Sequence, residues 1–542
     1  MVLVLQIAVS RWSRRHCGTF ILEAMTNPPG RIAAIRAAAF VTASTYLSYG
    51  LSLIVGAIAA RSLGPDAYGR YAYVVWITGL LVMMANHGLT TSGIRFVAEC
   101  LGAGQPAAAA GVHRWLLTRQ LASLALILLL FAAWMGLHPP PGWRTEVVTL
   151  LLVGAVSTAS KTFYLFDVSM GKGYGRFDVE PMTTIVFSVL GAIVTLVLAA
   201  RGAPVKSYLV LFACSSVGMY LLASALLRRA GLRAARTGRL EPTLERRLRQ
   251  HLLWTIVLTV GYALSNRSVE TYLLATHWGA ANVGFFTIAA GLTRGSVELL
   301  TVGLSAVLMP AMARSQGSGD PQQSHALFGD TFRFLTFLGL ILAGSGWYWA
   351  EPAVRIFYGP SFEPAIFTLR VMLLIGGVFL FDATTGALLT TSGRQQQRAV
   401  LVCISTVMSL ITGYLLVPAF GLTGAALSVA VVHIAYSLTM VVQSVQAIRA
   451  PLPWAGLLRL LLAAALAAVA SYACCLLPLE LELAANLLAG LVFALLFVAL
   501  TVLLKAWTRR DVGLMVEMSE RWTMLLGWLR PLLLRWQSHY TH

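Results

Sequence analysis

The residues best suited to chemistry in this sequence are charged groups inside long apolar runs. Arg267 and Glu270 stand three apart and Arg294 and Glu298 four apart, spacings that put each pair on one face of a helix. Asp382 is a lone carboxylate followed by Thr384 and Thr385, and Asn86, His87 and His433 interrupt similarly apolar surroundings. An ionised side chain in hydrocarbon costs about 2.5–3.5 kcal/mol even on lenient insertion scales, so each one needs a reason. One reading makes Arg267 and Arg294 the cationic lining of a hydrated path, with Glu270 and Glu298 as positioning partners or ion-coupling groups. The other makes each pair an intrahelical ion pair that only helps its span insert. Asp382 could bind a coupling cation, H+ or Na+, or contact a neighbouring helix. Asn86, His87 and His433 suit a substrate path less well, since polar residues commonly join membrane helices by hydrogen bonds.

The elements that position these groups follow from composition. Of 542 residues, 58% are hydrophobic and 11% charged, whereas soluble domains carry about 25% charged residues. The chain therefore reads as an all-α polytopic membrane protein. Stretches of about 20 apolar residues occur at 37–60, 71–93, 114–136, 146–167, 179–200, 206–227, 252–275, 283–309, 329–350, 364–391, 399–417, 421–446, 455–477 and 484–505. A β-barrel is excluded, because its strands alternate instead of running apolar for twenty residues. Span one carries Thr42, Ser44, Thr45, Tyr46, Ser48, Tyr49 and Ser52, too polar for a lipid-facing helix. Tyr46 and Tyr49 are expected to face a central cavity where rings and hydroxyls suit a sugar, with close helix packing by small residues as the alternative.

A net charge of +19 raises the question of a polyanionic partner. With the N-terminus inside, the inner segments hold 28 Lys and Arg and the outer loops only 6, namely Arg61, Arg70, Arg144, Arg201, Lys206 and Arg355. That asymmetry places both termini in the cytoplasm. The densest run, Arg228 to Arg249, is opposed only by Glu241 and Glu245. It lacks aromatic interleaving and any nucleic-acid module, so it reads as a topology-setting loop that touches anionic headgroups. Gly171-Lys172-Gly173-Tyr174-Gly175-Arg176 lacks P-loop spacing and a preceding strand, and reads as a tight turn. None of Cys17, Cys100, Cys214, Cys403, Cys474 and Cys475 has metal-ligand or redox spacing. No metal site, catalytic group, cofactor or ATPase module is expected. Leu514, Met518, Trp522, Leu525, Leu529, Leu533 and Trp536 form an amphipathic tail suited to the cytoplasmic leaflet or to a partner. Met25 is an alternative start to Met1, since the periodic sequence begins after Pro28 and Pro29.

An internal repeat completes the layout. Leu63-Gly64-Pro65-Asp66-Ala67-Tyr68-Gly69-Arg70-Tyr71 matches Trp278-Gly279-Ala280-Ala281-Asn282-Val283-Gly284-Phe285-Phe286 at an offset of 215, and Gly175-Arg176 matches Gly393-Arg394 at 218. Six duplicated spans give two parallel lobes related by an axis along the membrane normal, a transporter architecture. The expected layout is a cytoplasmic arm at 1–36, an N-lobe at 37–227, a basic linker at 228–251 and a C-lobe at 252–446. Two extra spans follow at 447–506, then a tail at 507–542.

The segment from Ala37 to Glu99, with Ala59-Ala60-Arg61-Ser62-Leu63-Gly64-Pro65-Asp66-Ala67-Tyr68-Gly69, resembles the opening of bacterial polysaccharide-transport proteins. These are oligosaccharide flippases of the multidrug/oligosaccharidyl-lipid/polysaccharide exporter superfamily. Thr390-Thr391-Ser392-Gly393-Arg394, Gly421-Leu422-Thr423-Gly424-Ala425-Ala426, Glu351-Pro352-Ala353 and Phe357-Tyr358-Gly359 are similar to the same family, over about residues 35–506. One departure is visible: the family often has Asp in span seven and a tyrosine after Val-Gly, where this chain has Glu270 and Phe285-Phe286. The resemblance implies a flippase moving a lipid-linked oligosaccharide to the outer leaflet of the bacterial inner membrane, with Arg267 and Arg294 drawing its pyrophosphate. Polysaccharide-assembly proteins would be partners and nucleic acid would not. An ion-coupled drug or metabolite exporter of the same superfamily is the alternative. A polysaccharide ligase or polymerase would present a sizeable outer loop with Arg and His, and the loop from Glu351 to Glu363 has no histidine, so no enzyme is expected.

Overall fold

The computed structural model describes residues 28–137, 146–232, 240–265, 268–317, 321–391, 395–448, 452–475 and 482–508. Residues 1–27 with Met1 and Met25, residues 138–145, the arginines at 233–239, Arg267, Gly393-Arg394 and residues 509–542, where the amphipathic tail is expected, lie outside the described residues. Among the described residues every regular element is helical. They are α1 (Pro28–Asn86), α2 (Leu89–Gly102), α3 (Pro106–Leu137), α4 (Val147–Gly173), α5 (Val179–Ala200), α6 (Val205–Arg229), α7 (Pro242–Ser265) and α8 (Ser268–His277). Then follow α9 (Ala280–Gly317), α10 (Pro321–Phe357), a 3-10 turn at Pro360–Phe362, α11 (Ala365–Val378), α12 (Asp382–Thr391), α13 (Gln395–Ile448), α14 (Trp454–Cys475) and α15 (Glu482–Leu503).

Two of these helices are too long to be single spans. Running 59 and 54 residues, α1 and α13 would each exceed 80 Å if straight, against a hydrocarbon thickness of about 30 Å. Both break at a glycine, α1 at Gly64 (φ 73°, ψ 171°) and α13 at Gly421 (φ 57°, ψ −128°), conformations that a Cβ disfavours. Each is therefore two spans joined by a tight turn. Among the described residues ten helices are long and apolar enough to cross a membrane, and α11 with α12, bent by 49°, makes an eleventh if the pair is one span. The place of span seven is shared by α7 and α8. Leu129, Leu415, Val469 and Leu503 are each more than two-thirds exposed, a pattern costly in water and at home against lipid tails.

The chain divides into two compact units. One holds the described residues up to Thr287 together with Val402–Ala425, and the other holds Ile288–Leu401 together with the described residues from Ala426. The first unit buries one cluster around Val74, Leu124, Phe131, Leu150 and Leu209 and another around Leu89, Phe96, Leu116, Phe166 and Leu248. In the second, α14 and α15 close on each other through Ala463, Ala467 and Ala489, against Phe493 and Phe497.

Within the first unit the two repeated loops touch. A methyl on Gly69 would overlap the carbonyl of Ala280. A methyl on Gly284 would lie 3.0 Å from the Pro65 oxygen and 3.3 Å from the Gly69 Cα. Gly69 and Gly284 are the residues that the 215-residue offset matches, so equivalent positions of the repeat meet backbone to backbone. Elsewhere in the unit, Arg247 pairs with Glu99 at 2.8 Å and Arg249 with Glu245 at 2.6 Å. Arg249 and the indole N–H of Trp115 hold the Glu245 carboxyl below the usual range. Part of the arginine run is thus engaged locally. The Gly171–Arg176 segment is a turn: α4 ends at Gly173, and Gly175 (φ 82°) and Arg176 return their N–H groups to Lys172 and Gly171.

The sequence reading of 364–391 as one uninterrupted span needs revision at its centre. Gly377 lies so near α10 that a methyl there would come within 2.7 Å of the Ala343 nitrogen. Past that approach the helix gives way to short turns, Leu380 N–H to Gly377 O and Asp382 N–H to Phe379 O, both 3.0 Å. Gly69→Ala and Gly284→Ala are each expected to lower the melting temperature of the purified protein by about 2 °C or more. Gly79→Ala, whose methyl meets nothing within 4 Å, should hold or raise it. Equal melting temperatures for all three would mean that the loops are not held at this approach.

Candidate functional site

Span seven carries its carboxylate at the start of α8. Ser268 Oγ donates to the Ala263 carbonyl at 2.6 Å, tying the first residue of α8 back to α7. Glu270 follows in the first turn, where a carboxylate is favoured by the exposed N–H groups of the helix start. It is 1% exposed and accepts from Ser409 Oγ of α13 at 3.2 Å. The pairing with Arg267 that the spacing predicts lies outside the described residues.

In span eight the expected pair is present. Arg294 Nε donates to Glu298 Oε1 at 2.7 Å, one turn along α9. The Arg294 side chain is 63% exposed even so, and Glu298 27%. An exposed guanidinium fourteen residues into a membrane helix is tolerated where it meets water or polar protein and not lipid.

Asp382 opens α12 at the bend. Ser437 Oγ of α13 donates to its Oδ2 at 2.5 Å, and His433 Nε2 lies 3.5 Å from the same oxygen. The His433 ring also rests edge-on against Phe379. Thr384 and Thr385 are fully buried beside it, with Thr385 Oγ1 donating to the Asp382 carbonyl. This brings together Asp382 and His433, which are 51 positions apart. It is a carboxylate–imidazole pair, an arrangement able to take up and release a proton.

Asn86 and His87 stand at another break. Asn86 ends α1 with 5% exposure, His87 has φ 22° and Gly88 has φ 88°. The freed carbonyl of Ala85 receives Gln120 Nε2 at 3.0 Å and Ser123 Oγ at 2.9 Å from α3, and His87 Nδ1 lies 3.0 Å from Ser123 Oγ. These contacts tie the break to α3 through the Ala85 carbonyl and the His87 ring, while the buried Asn86 amide has no hydrogen-bond partner among the described residues. In span one Tyr46 is exposed and Tyr49 half-buried, while Ser48 meets Ser188 of α5 at 3.3 Å. Lys161 in α4 escaped the spacing argument because no acid stands three or four positions from it. That missing partner was itself the available signal.

With this geometry in hand, comparisons with known proteins decide the family. A family model described as polysaccharide biosynthesis protein matches residues 58–367, more than half of the chain. The chain belongs to this family. The expectation drawn from the loop motifs therefore holds. No curated protein matches the sequence. Among solved structures, the lipid II flippase MurJ in an inward closed conformation aligns with a TM-score of 0.64 at 16% identity, covering 85% of this chain and 98% of that one. An inward-facing multidrug resistance MATE family transporter of the MOP superfamily aligns at 0.62 and 15%, covering 74% and 94%. A MOP superfamily transporter from Pyrococcus furiosus, noted for the reverse polarity of its binding pocket, aligns at 0.54 and 16%, covering 76% and 95%. These likenesses establish the fold of this polysaccharide biosynthesis family member as that of MOP transporters and flippases.

The Asp382–Ser437 bond generates a stability prediction. Ser437→Ala should cost about 1.5–3 kcal/mol, the range for a hydrogen bond to a charged group. Asp382→Ala and the double variant should then be non-additive in thermal unfolding. Strictly additive losses would show that the bond is not made.

Proposed function

We propose that this protein flips a lipid-linked oligosaccharide of the polyprenyl-pyrophosphate type across the bacterial inner membrane, for cell-surface polysaccharide or lipopolysaccharide synthesis. The observation that carries the reading is the Arg294 side chain, exposed at mid-span although it is ion-paired. A guanidinium in that position suits the phosphates of an anionic carrier and disfavours a cationic drug. Membership in a polysaccharide biosynthesis family supports the same substrate class.

The two six-helix halves of the sequence would alternate access to the two leaflets, with both termini cytoplasmic and no chemistry performed on the substrate. Close approach of the repeated loops at Gly69 and Ala280 supports a closed state on that side. The second reading, an ion-coupled exporter of drugs or metabolites, draws on the Asp382–His433 pair, which would serve either mechanism as a proton or cation site. Assembly proteins of the same glycan are the proposed partners.

The test is genetic. Cells lacking the protein should lose surface glycan and accumulate its lipid-linked precursor, and the wild-type gene should restore export. Arg294→Ala and Arg267→Ala are each expected to reduce export at least tenfold while the protein remains inserted, and Arg294→Lys should retain part of it. Normal export in both alanine variants, with wild-type membrane levels on immunoblots, would remove the arginines from the mechanism.

A further inference from the structure

Lys161 lies near the middle of α4, about 21 Å along the helix from Val147 and about 18 Å from Gly173. That places it deep between the two headgroup layers, beyond the reach of a snorkelling side chain. Lys172 and Lys206 find carboxylates, in Glu180 and Glu146. Lys161 has no ion-pair partner among the described residues. Its ammonium instead sits 4.0 Å from the centre of the Phe212 ring on α6. Phe212 is itself held edge-on by Tyr71 at 6.4 Å.

A ring face steadies an ammonium without neutralising it, and it leaves N–H donors for another acceptor. One turn earlier on the same face of α4, Ser157 and Thr158 are fully buried and their hydroxyls have no hydrogen-bond partner among the described residues. Helical Ser and Thr commonly return the hydroxyl to the preceding turn, as Ser216 does to Phe212 at 2.7 Å. A cation without a counter-ion and two unused donors make a set complementary to a phosphate and hostile to a cation.

We propose that Lys161, steadied by Phe212 and assisted by Ser157 and Thr158, is a binding station for a phosphate group passing through the N-terminal half of the protein. The phosphate chemistry is independent of the flippase reading; the identification of that phosphate as the pyrophosphate of a lipid carrier rests on it. Bulk lipid headgroups stay at the interface, so a station at mid-depth serves an anion carried through.

The test uses the full chain purified in detergent, titrated with inorganic pyrophosphate and, separately, with a short-chain isoprenyl pyrophosphate. Wild type should bind, Lys161→Met should bind at least tenfold more weakly, Lys161→Arg should recover much of the loss, and Ser157→Ala should weaken binding severalfold. Loss of both probes to the same degree means that the station reads the free anion; selective loss of the isoprenyl probe means that it reads the lipid carrier. Monodisperse elution and an unchanged melting temperature for Lys161→Met exclude misfolding, and Ser157→Ala gives a second reading if that variant is unstable. Equal binding of both probes by wild type and Lys161→Met, or binding of neither probe by wild type, overturns the station while leaving the flippase reading to the export assay. Conversely, undiminished glycan export in cells lacking the protein, alongside lost binding in Lys161→Met, overturns the flippase reading and keeps the station.

Discussion

Hydrocarbon offers no partner to a polar group, and every feature of this chain answers to that constraint. Backbone groups are satisfied by closing each span into a helix, and where a helix breaks, the freed groups are taken up by neighbours. At the end of α1 the Ala85 carbonyl is claimed by Gln120 and Ser123. Where α7 gives way to α8, Ser268 reaches back to Ala263. Where α11 bends into α12, Asp382 gains Ser437 and His433. Glu270 and Asp382 thus stand where helices are interrupted, and interruptions are where membrane transporters commonly bind their cargo.

Much of this was legible in the sequence. Twenty-residue apolar runs fix the spans because bilayer thickness admits few other solutions, and Gly64-Pro65 and Gly421 announce the turns inside α1 and α13. The Arg294–Glu298 pair follows from spacing alone, since one helical turn brings positions four apart into contact. The bend in span ten was not legible. Gly376 and Gly377 precede the break, but a glycine pair inside an apolar run does not by itself set a bend, and the close approach of Gly377 to α10 is a tertiary fact. His433 meets Asp382 across 51 positions for the same kind of reason. Lys161 has no acid three or four positions away, so helical spacing assigns it no partner, and its place on the Phe212 ring is again a tertiary fact.

The charged groups sort by how they are held. Glu270 is buried on Ser409, Arg294 is exposed on Glu298, Asp382 is shared between a serine and a histidine, and Lys161 lies on an aromatic face. Only the first is sealed from its surroundings. Arg294, Asp382 and Lys161 keep part of their surface exposed.

The contact between Gly69 and the Ala280–Gly284 turn has a consequence for how the protein responds to its surroundings. Around Gly69 and Gly284 the nearest atoms across the contact are main-chain atoms, so there its strength comes from dispersion and shape. Shape contacts of this kind change little with salt or pH, so at these two glycines the fit between the loops is set by the helices that carry them.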